Sequence, residues 1–549
     1  MEVAKALVDR LVTGSITTVF GIPGKQTLPL NEAIDGRDDI RFVMARHETA
    51  VTHQAWGHAE ATGEMAATVV VPGPGDLNAA NGLKNALNDC TPMIHIAVET
   101  EPAVRGGDGI HETPPQTYDS LVKANLTVET APSVIAELER AITIARTPPK
   151  GPVRIGVPKN FLPTETDQAV SRRAVPESPA PVPAAIHESA DLLMAATSPL
   201  LIAGGGVRTS GASPQFRGLA ERLDAPVATT YKGKGTFPED HPLFTGVLCG
   251  GASEALTACV NDADTVVAVG SDLDAVWTQH WAYDLDGDTE LIHVTLSPAD
   301  TGRGYQPSLA LVADAKQTLE QLDTALADRP LSGGEGRSRA ATVRDDIQAR
   351  TAALRSVSEP PLTSVSALAA VRQAVPREAI VTADAGGSRI WTLVTFPVYE
   401  PRGFVTPGSW ATMGTSLPAA IGAAAAEPDR DVVALAGEGG LMMSIHELHS
   451  AASEGLDLAV VVFNNDDYAI ISEEADRSYR MAAGEYSWSD DAPLSVSNVA
   501  EGMGVKALTA RRPAAVTDAV ERAITHPGPA LVEVPTDSHE PQASSHMRD

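Results

Sequence analysis

Glu438 stands between glycines in the segment GEGGLMM, directly after the apolar run DVVALAG, which is typical of a buried strand. A second apolar run ends in FNNDD, and its Asn465 follows Glu438 by 27 residues, about the length of one strand–helix–strand unit. Because the carboxyl ends of parallel strands meet at one edge of a sheet, a carboxylate, an amide oxygen and a loop carbonyl would lie together there. Such hard oxygen ligands, beside the positive end of a helix, suit Mg²⁺ that carries a diphosphate. Two polar turns that bind no ligand are the alternative interpretation.

The apolar runs indicate which elements must position these residues. In each third of the chain, short runs rich in Val, Ile and Leu alternate with longer stretches of helical periodicity, as in AATVVVPGPG, PLLIAGGG and AVVVFNN. Near-continuous apolar strands separated by helices are typical of parallel sheets that are covered on both faces. The sequence therefore predicts an α/β protein of three doubly wound parallel-sheet domains.

Two polar, proline-rich stretches divide the chain into these domains. Residues 163–185 have the composition of a linker, and residues 327–363 are similar, with room for a short helix inside. We predict domains over residues 1–165, 186–328 and 360–537. The last polar stretch, residues 537–549, is predicted to be disordered.

Composition restricts the partners and the compartment. The 549 residues include 41 Lys plus Arg and 71 Asp plus Glu, which gives a formal net charge of −30. This charge repels phosphate backbones and anionic lipid, so neither nucleic acid nor a membrane is an expected partner. The three cysteines form no C-x-x-C pair, and the sequence has neither a signal-peptide pattern nor an apolar run of 18 residues. We therefore expect a cytoplasmic protein.

The segment GEGGLMMSIHELHSAASEGLDLAVVVFNN resembles the thiamine-diphosphate motif, which runs from Gly-Asp-Gly to Asn-Asn. The similarity extends over nearly the whole chain, and the subgroup that it resembles is the acetolactate synthase large subunit. In that pattern the acid, the second asparagine and a backbone carbonyl two residues further on bind the metal. The resemblance assigns these roles to Glu438, Asn465 and Asp467. This chain has Glu where the family has Asp, and the longer side chain has to fit an octahedron with bonds of about 2.0 to 2.1 Å.

Three further stretches resemble the same family. RFVMARHETAVTHQAWGHAEATG resembles the segment whose glutamate contacts N1′ of the aminopyrimidine, which here is Glu48. A carboxylic acid at that place can protonate the pyrimidine and make its exocyclic amine basic enough to form the C2 ylide. PGSWATMGTSLPAAIGAAAA resembles the segment whose bulky residue supports the bent cofactor, so the resemblance adds Met413 to the catalytic residues.

TADAGGSRIW resembles the loop that cradles the diphosphate, but the synthases show Gly, Gln and His where this chain has Gly386, Gly387 and Ser388. The full set of cofactor-binding residues that the resemblance implies is Glu48, Gly73, Asn78, Gly386, Gly387, Ser388, Met413, Gly437, Gly439, Gly440 and Asn465.

The resemblance implies a thiamine-diphosphate- and Mg²⁺-dependent enzyme that decarboxylates a 2-oxo acid and ligates the product, as acetolactate synthase does. A simple decarboxylase for an anionic 2-oxo acid and a non-catalytic homologue are the alternatives. In the family, Glu48 of one subunit meets the diphosphate held by another, so a homodimer or homotetramer is expected, and a small regulatory subunit is a further candidate partner. Bound FAD stays open, since a glycine triplet at residues 204–206 follows a strand but GSDLDAVWTQ replaces the flavin-binding run of the synthases.

Substitutions relative to the synthases also bear on the substrate. Lys25 takes a place where they usually show a small residue, while Ile110 and His111 stand where they show Phe and Gln. Glu474 replaces the Trp that favours a larger 2-oxo acid as acceptor. Each of these residues could be an ordinary solvated side chain. If they line the pocket, a cation and a proton donor lie beside the reacting carbon, so Lys25 and His111 are predicted to be catalytic residues with Glu48.

Overall fold

A computed structural model describes residues 1–167, 174–327, 329, 335–482, 484, 486–488 and 494–548. It contains three six-stranded sheets, one in each third of the chain, and the paired strands within each sheet run parallel. Helices connect and flank the strands. The prediction of three doubly wound parallel-sheet domains is confirmed. Among the described residues, no helix is both long and apolar enough to cross a bilayer.

The first sheet has the strand order 2-1-3-4-6-5 along the chain numbering. Its strands are β1 (Thr18–Gly21), β2 (Arg41–Met44), β3 (Ala66–Val70), β4 (Met93–Glu99), β5 (Ala124–Thr127) and β6 (Pro152–Pro158). Its helices are α1 (Val3–Thr13), α2 (Leu28–Ile34), α3 (Glu48–Thr62), α4 (Pro74–Asn88) and α5 (Val134–Arg146). β3, β4 and β6 are buried over their whole length, as expected of central parallel strands.

The second sheet is formed by strands 7 to 12 of the chain in the order 12-11-10-7-8-9, so the strand order reverses between strands 7 and 10. The strands are β7 (Pro199–Ala203), β8 (Val227–Thr230), β9 (Phe244–Leu248), β10 (Thr265–Val269), β11 (Glu290–Thr295) and β12 (Leu309–Val312). The helices are α6 (Pro183–Ala195), α7 (Gly205–Thr209), α8 (Ser213–Leu223), α9 (Glu254–Asn261) and α10 (Ala315–Leu326).

The third sheet has the order 14-13-15-16-18-17. Its strands are β13 (Ile380–Ala383), β14 (Phe404–Val405), β15 (Val432–Gly437), β16 (Ala459–Asn464), β17 (Lys506–Thr509) and β18 (Ala530–Pro535). The helices are α11 (Gly336–Arg355), α12 (Ser364–Ala374), α13 (Gly387–Thr395), α14 (Ser416–Ala426), α15 (Glu438–Met442), α16 (Glu447–Ser453), α17 (Ala469–Tyr479), α18 (Val496–Gly502), α19 (Pro513–Ile524) and α20 (Ala543–His546).

Helix α3 joins the first domain to the third by packing on α14. Small residues permit a close approach: a Cβ at Gly57 would lie 2.4 Å from the Cα and the carbonyl oxygen of Ala419. At Gly422, a Cβ would lie 1.9 Å from the carbonyl oxygen of Gln54. Because these opposing atoms are backbone atoms, no side chain could move aside to make room. This contact fixes the position of the helix that begins at Glu48.

A buried ionic cluster, formed by Glu60, Asp89, Arg208 and Lys232, links all three domains. The Glu60 carboxylate accepts from the Arg208 guanidinium at 2.6 Å and from Lys232 Nζ at 2.7 Å. Lys232 also donates to Asp89 at 2.9 Å and to the carbonyl oxygen of Thr406 at 3.2 Å. Although burial alone would raise it, the two cations lower the pKa of Glu60 to about 2. The cluster is therefore a set of charges that compensate one another.

The prediction of a disordered tail is wrong. Residues after β18 include α20, and Ala543 and Met547 are fully buried. Glu540 accepts a hydrogen bond of 2.6 Å from the backbone N–H of Ser364, at the start of α12. The tail is ordered because Ala543, at the start of α20, and Met547, directly after it, are both buried against the rest of the protein.

The structure describes parts of both predicted linkers. Residues 168–173 of the first, and residues 328 and 330–334 of the second, lie outside the described residues. The second stretch contains α11, a helix of 20 residues, which is much longer than the short helix that the sequence suggested. The predicted domain boundaries stay predictions.

Candidate functional site

The predicted metal ligands converge at the carboxyl edge of the third sheet. Glu438 follows β15, Asn465 follows β16, and these two strands are neighbours with Gly437 opposite Phe463. The backbone N–H of Asp467 donates to Glu438 Oε1 at 3.0 Å and to Asn465 Oδ1 at 3.1 Å. The Glu438 and Asn465 side chains, which are 27 residues apart in the sequence, therefore accept from the same N–H group.

The Glu438 carboxylate is buried, and among the described residues it has no basic partner. Only 2% of the residue is exposed, and no basic side chain in the described part of the chain forms an ion pair with it. Burial raises the pKa of Glu438 to about 7, while hydrogen bonds from its own N–H and from those of Asp467 and Asn465 act in the opposite direction. A buried carboxylate in this state is stabilised by a nearby positive charge. The side chains present therefore fit a divalent cation.

Asp467 contacts Glu438 and Asn465 through its backbone N–H group and not through its carboxylate. Its side chain is buried and accepts a hydrogen bond of 2.7 Å from Ser472 Oγ. The described residues contain no cluster of three or more His, Cys, Asp or Glu side chains that could hold a metal ion. A site here would thus depend on one carboxylate, one amide and a backbone carbonyl, which is the set that the sequence predicted.

The glycines around Glu438 leave room for close neighbours. A Cβ at Gly440 would lie 2.9 Å from Asp384 Oδ2, and a Cβ at Gly439 would lie 2.5 Å from the ring of Tyr468. Both neighbours are side chains of adjacent strand ends. Glycine at these positions lets the turn before and within α15 sit against them.

The predicted diphosphate loop begins α13. Gly386 has φ of 132°, a conformation that favours glycine, and no atom of the described residues lies within 4 Å of the position where its Cβ would be. Ser388 Oγ lies 3.7 Å from the Cβ position of Gly437. The loop and the Gly437 turn therefore border one open space at a helix N-terminus, which is suited to an anion.

Asp384 is a site residue that sequence reasoning missed. It follows β13 and is buried, and its carboxylate accepts from the N–H groups of Ala385 at 2.8 Å and of Gly414 at 2.9 Å. Burial raises the pKa of Asp384 to about 6, and the backbone hydrogen bonds act in the opposite direction. These bonds tie the loop of the half-buried Met413 to the loop of Gly386. An acid directly after an apolar strand was the available signal.

Glu48 marks the first-domain part of the site. It is the first residue of α3 and partly exposed, and its Oε2 accepts from Asn78 Nδ2 at 3.0 Å. A Cβ at Gly75 would lie 3.2 Å from Glu48 Oε1, which brings the start of α4 against the carboxylate. The structure thus brings together Glu48 and Asn78, two members of the predicted cofactor-binding set, and their role in binding stays a prediction.

Lys25 and His111 lie near this edge on loops. His111 is exposed with φ of 62°, and its carbonyl oxygen would lie 2.4 Å from a Cβ at Gly73. Lys25 is exposed, and the preceding Gly24 lies against Val71 at the end of β3. Glu474 is set apart, because it pairs with Arg477 and Ser478 on the exposed face of α17.

Comparison with known proteins identifies the family. The N-terminal TPP binding domain of thiamine pyrophosphate enzymes matches residues 1–120, the central domain matches residues 186–322, and the C-terminal TPP binding domain matches residues 384–534. The chain belongs to the thiamine pyrophosphate enzyme family.

Within this family, the chain is of the acetolactate synthase and decarboxylase type. It is 30% identical over 547 residues to the acetolactate synthase isozyme 1 large subunit of Escherichia coli, covering 98% of this chain and 94% of the relative. It is 33% identical over 485 residues to a Pseudomonas aeruginosa protein named as a probable 2-ketoarginine decarboxylase, and the match covers 86% of this chain and 84% of that relative. A Mycobacterium smegmatis structure described as a putative thiamin diphosphate-dependent enzyme superposes with a TM-score of 0.83 at 25% identity, and the match covers 98% of this chain and 99% of that one.

Proposed function

We propose that the protein is a thiamine-diphosphate- and Mg²⁺-dependent enzyme that decarboxylates a 2-oxo acid and ligates the product to a second carbonyl compound. The observation that carries the proposal is the buried Glu438, which lies beside Asn465 at two neighbouring strand ends and has no basic partner among the described residues. Mg²⁺ would supply the missing positive charge. Glu438, Asn465 and the backbone carbonyl of Asp467 would hold it, with the diphosphate beside Gly386 and Ser388.

The remaining residues have distinct roles in this proposal. Glu48, which Asn78 orients, would hold and exchange a proton at N1′ of the pyrimidine. Met413 would support the bent cofactor, and Asp384 fixes the loop that carries Met413. When bound, the cofactor supplies the carbon nucleophile and the electron sink for loss of CO₂.

A second candidate function is decarboxylation of an anionic 2-oxo acid without ligation. The loops of Lys25 and His111 border Val71 and Gly73, close to the end of β3. A cation and an imidazole at this edge would favour a substrate with a second negative group. One relative bears the name of a decarboxylase, which supports keeping this candidate.

We propose that the central domain works without a flavin. The loop after β10, beside the crevice between β7 and β10 where a dinucleotide would bind, carries Asp272 and Asp274. Asp300 follows β11 and is near enough to act on Asp272. Burial and the two neighbouring acids raise the pKa of Asp272 to about 7. The Tyr231 hydroxyl donates to Asp274 at 2.6 Å and joins the loops on either side. An anionic pyrophosphate would be repelled there, so we expect purified protein to lack flavin absorbance near 450 nm.

We also propose a cytoplasmic homodimer as the smallest working unit, with a homotetramer or an added small regulatory subunit as larger forms. Large apolar side chains beside both parts of the site are exposed in the single chain, and a second subunit would cover them: Leu77, Ile110, Met442, Met443 and Ile471. Sedimentation equilibrium measures the assembly.

The proposed function is tested by removing one group at a time. Glu438→Ala should abolish the rise in melting temperature that thiamine diphosphate plus Mg²⁺ gives the wild type. Glu48→Gln should keep that rise but lose about 10² to 10⁴ in rate, because an amide cannot deliver the proton. Glu290→Gln is the control, since Glu290 is exposed at the start of β11, away from the strand ends of the site.

The products distinguish the two candidate functions. Mass spectrometry of reactions with a panel of 2-oxo acids, with and without added aldehydes, should show ligated products if the first is right. Aldehydes alone would support simple decarboxylation. An unchanged thermal shift in Glu438→Ala would refute the metal assignment, and no turnover of any 2-oxo acid would favour a non-catalytic homologue.

A further inference from the structure

We propose that Glu447 is a positioning residue for Glu48, an inference that rests on the proposed role of Glu48 in the catalytic reaction. Glu447 is the first residue of α16 in the third domain and is completely buried. Its Oε1 accepts from the backbone N–H of Arg46 at 2.9 Å and from that of His47 at 3.0 Å. These are the two residues directly before Glu48. The third domain therefore holds the start of α3 through one carboxylate.

The second oxygen of Glu447 extends the same contact along α3. Oε2 accepts from Gln54 Nε2 at 3.2 Å and from Ser450 Oγ at 2.6 Å. Three of the four donors, Arg46, His47 and Gln54, belong to the first domain. They lie on both sides of Glu48 in the chain, so the contact restrains translation and rotation of the helix start.

Both oxygens of the Glu447 side chain act as acceptors in this arrangement. Both oxygens face donors only, which favours the ionised form, whereas burial raises the pKa of Glu447. The Arg46 guanidinium donates to His449 and Ser453 rather than to Glu447, although its positive charge acts to lower the pKa of the carboxyl. The His446 imidazole lies 3.5 Å from Glu447 Oε1. The four hydrogen-bond donors on Glu447 are two backbone N–H groups, an amide and a hydroxyl. Removal of its side chain would leave the two N–H groups before Glu48 without their acceptor.

Glu447→Ala should act on catalysis through the position of Glu48. A displacement of about 1 Å in a catalytic group can cost on the order of 10²-fold in rate. We expect kcat to fall by about 10- to 100-fold, with little change in KM for the 2-oxo acid, because no substrate contact is removed.

Glu447→Gln is the conservative variant. Its amide oxygen can still accept from Arg46 and His47. Its amide nitrogen would face Gln54, whose Oε1 is buried without a hydrogen-bond partner and could accept after the amide rotates. We expect this variant to retain most of the wild-type rate. A retained rate in Glu447→Gln beside a large loss in Glu447→Ala would indicate that the acceptor, rather than the charge, is what positions Glu48.

The decisive measurement is the rate at which the C2 hydrogen of bound thiamine diphosphate exchanges with D₂O, followed by NMR on the full-length protein. A merely structural role of Glu447 would lower the melting temperature without slowing this exchange. We expect slow exchange in Glu447→Ala, near wild-type exchange in Glu447→Gln, and wild-type exchange in the control Glu290→Gln. Exchange at the wild-type rate in Glu447→Ala would overturn the proposal.

Two further variants keep the outcome decisive. If Glu447→Ala does not fold, Glu447→Asp replaces it, because the shorter carboxylate falls one methylene short of the two N–H groups and should also slow exchange. Glu48→Gln separates this inference from the proposed function. Normal exchange in Glu48→Gln would refute the role of Glu48 itself, whereas slow exchange there with normal exchange in Glu447→Asp would refute only the role of Glu447.

Discussion

Gly57→Ala is the substitution for which the packing of α3 on α14 gives the sharpest expectation. The added methyl group would lie 2.4 Å from the Cα and the carbonyl oxygen of Ala419. This is about 1 Å closer than the optimal separation of carbon atoms. Since the opposing atoms are backbone, the two helices have to move apart. We expect an overpacking cost of about 1 to 3 kcal/mol.

A matched substitution isolates this cost. Gly218 lies inside α8, and in the described part of the chain no atom is within 4 Å of the place where its Cβ would be. Replacing a helical glycine by alanine contributes about 1 kcal/mol of helix propensity in both variants. The difference between Gly57→Ala and Gly218→Ala is therefore the overpacking cost alone, about 1 to 3 kcal/mol in unfolding free energy.

Urea-induced unfolding, followed by tryptophan fluorescence, measures this difference. Gly218→Ala should raise the midpoint, and Gly57→Ala should lower it. Gly57→Ala should also reduce kcat, because α3 carries Glu48 at its first residue. If both variants raised the midpoint equally, the close approach of α3 and α14 would be absent from the protein and the reasoning would be wrong.

Three further predictions concern single side chains. Burial lowers the pKa of His53 to about 4, so below about pH 6.5 the unfolded chain binds a proton at this residue that the native state does not bind; the contribution of His53 should therefore lower the stability by about 2 kcal/mol between pH 7 and pH 5. Denaturant titrations of His53→Leu should show a correspondingly flatter pH dependence. Glu438→Asp should bind Mg²⁺ at least as tightly as the wild type by calorimetry, because it restores the family's acid, and markedly weaker binding would count against the assignment. Lys25→Ala should raise KM for the true 2-oxo acid several-fold with a smaller effect on kcat; an unchanged KM, with efficient acetolactate formation from pyruvate alone, would favour a plain acetolactate synthase.

The sequence predicted those parts of the site that follow from local pattern. Glu438 and Asn465 each follow an apolar strand, and the rule that parallel strands end at one edge was enough to expect them together. The shared N–H of Asp467 agrees with that expectation. Asp384 carries the same local signal, but its hydrogen bonds go to backbone 30 residues away, which no periodicity reveals.

Contacts between segments that are distant in the sequence could not be predicted either. Glu447 lies in a stretch of ordinary helical pattern, and its partners Arg46 and His47 are about 400 residues away. The polar tail was judged by composition, yet the burial of Ala543 and Met547 depends on the surface that other segments provide. The contacts of Glu447 and the order of the tail both depend on tertiary packing, which a single sequence does not show directly.

The ionic cluster around Glu60 has a consequence for how the protein denatures. Separating the first domain from the central one would break the ion pairs of Glu60 with Arg208 and Lys232. Lys232 also donates to Asp89 of the first domain and to Thr406 of the third, so unfolding of any one domain breaks contacts of the other two. An intermediate with one domain unfolded and the others intact is therefore disfavoured, so calorimetry should record a single cooperative heat-absorption peak. Cutting the chain within the polar stretches would not release three independently stable fragments.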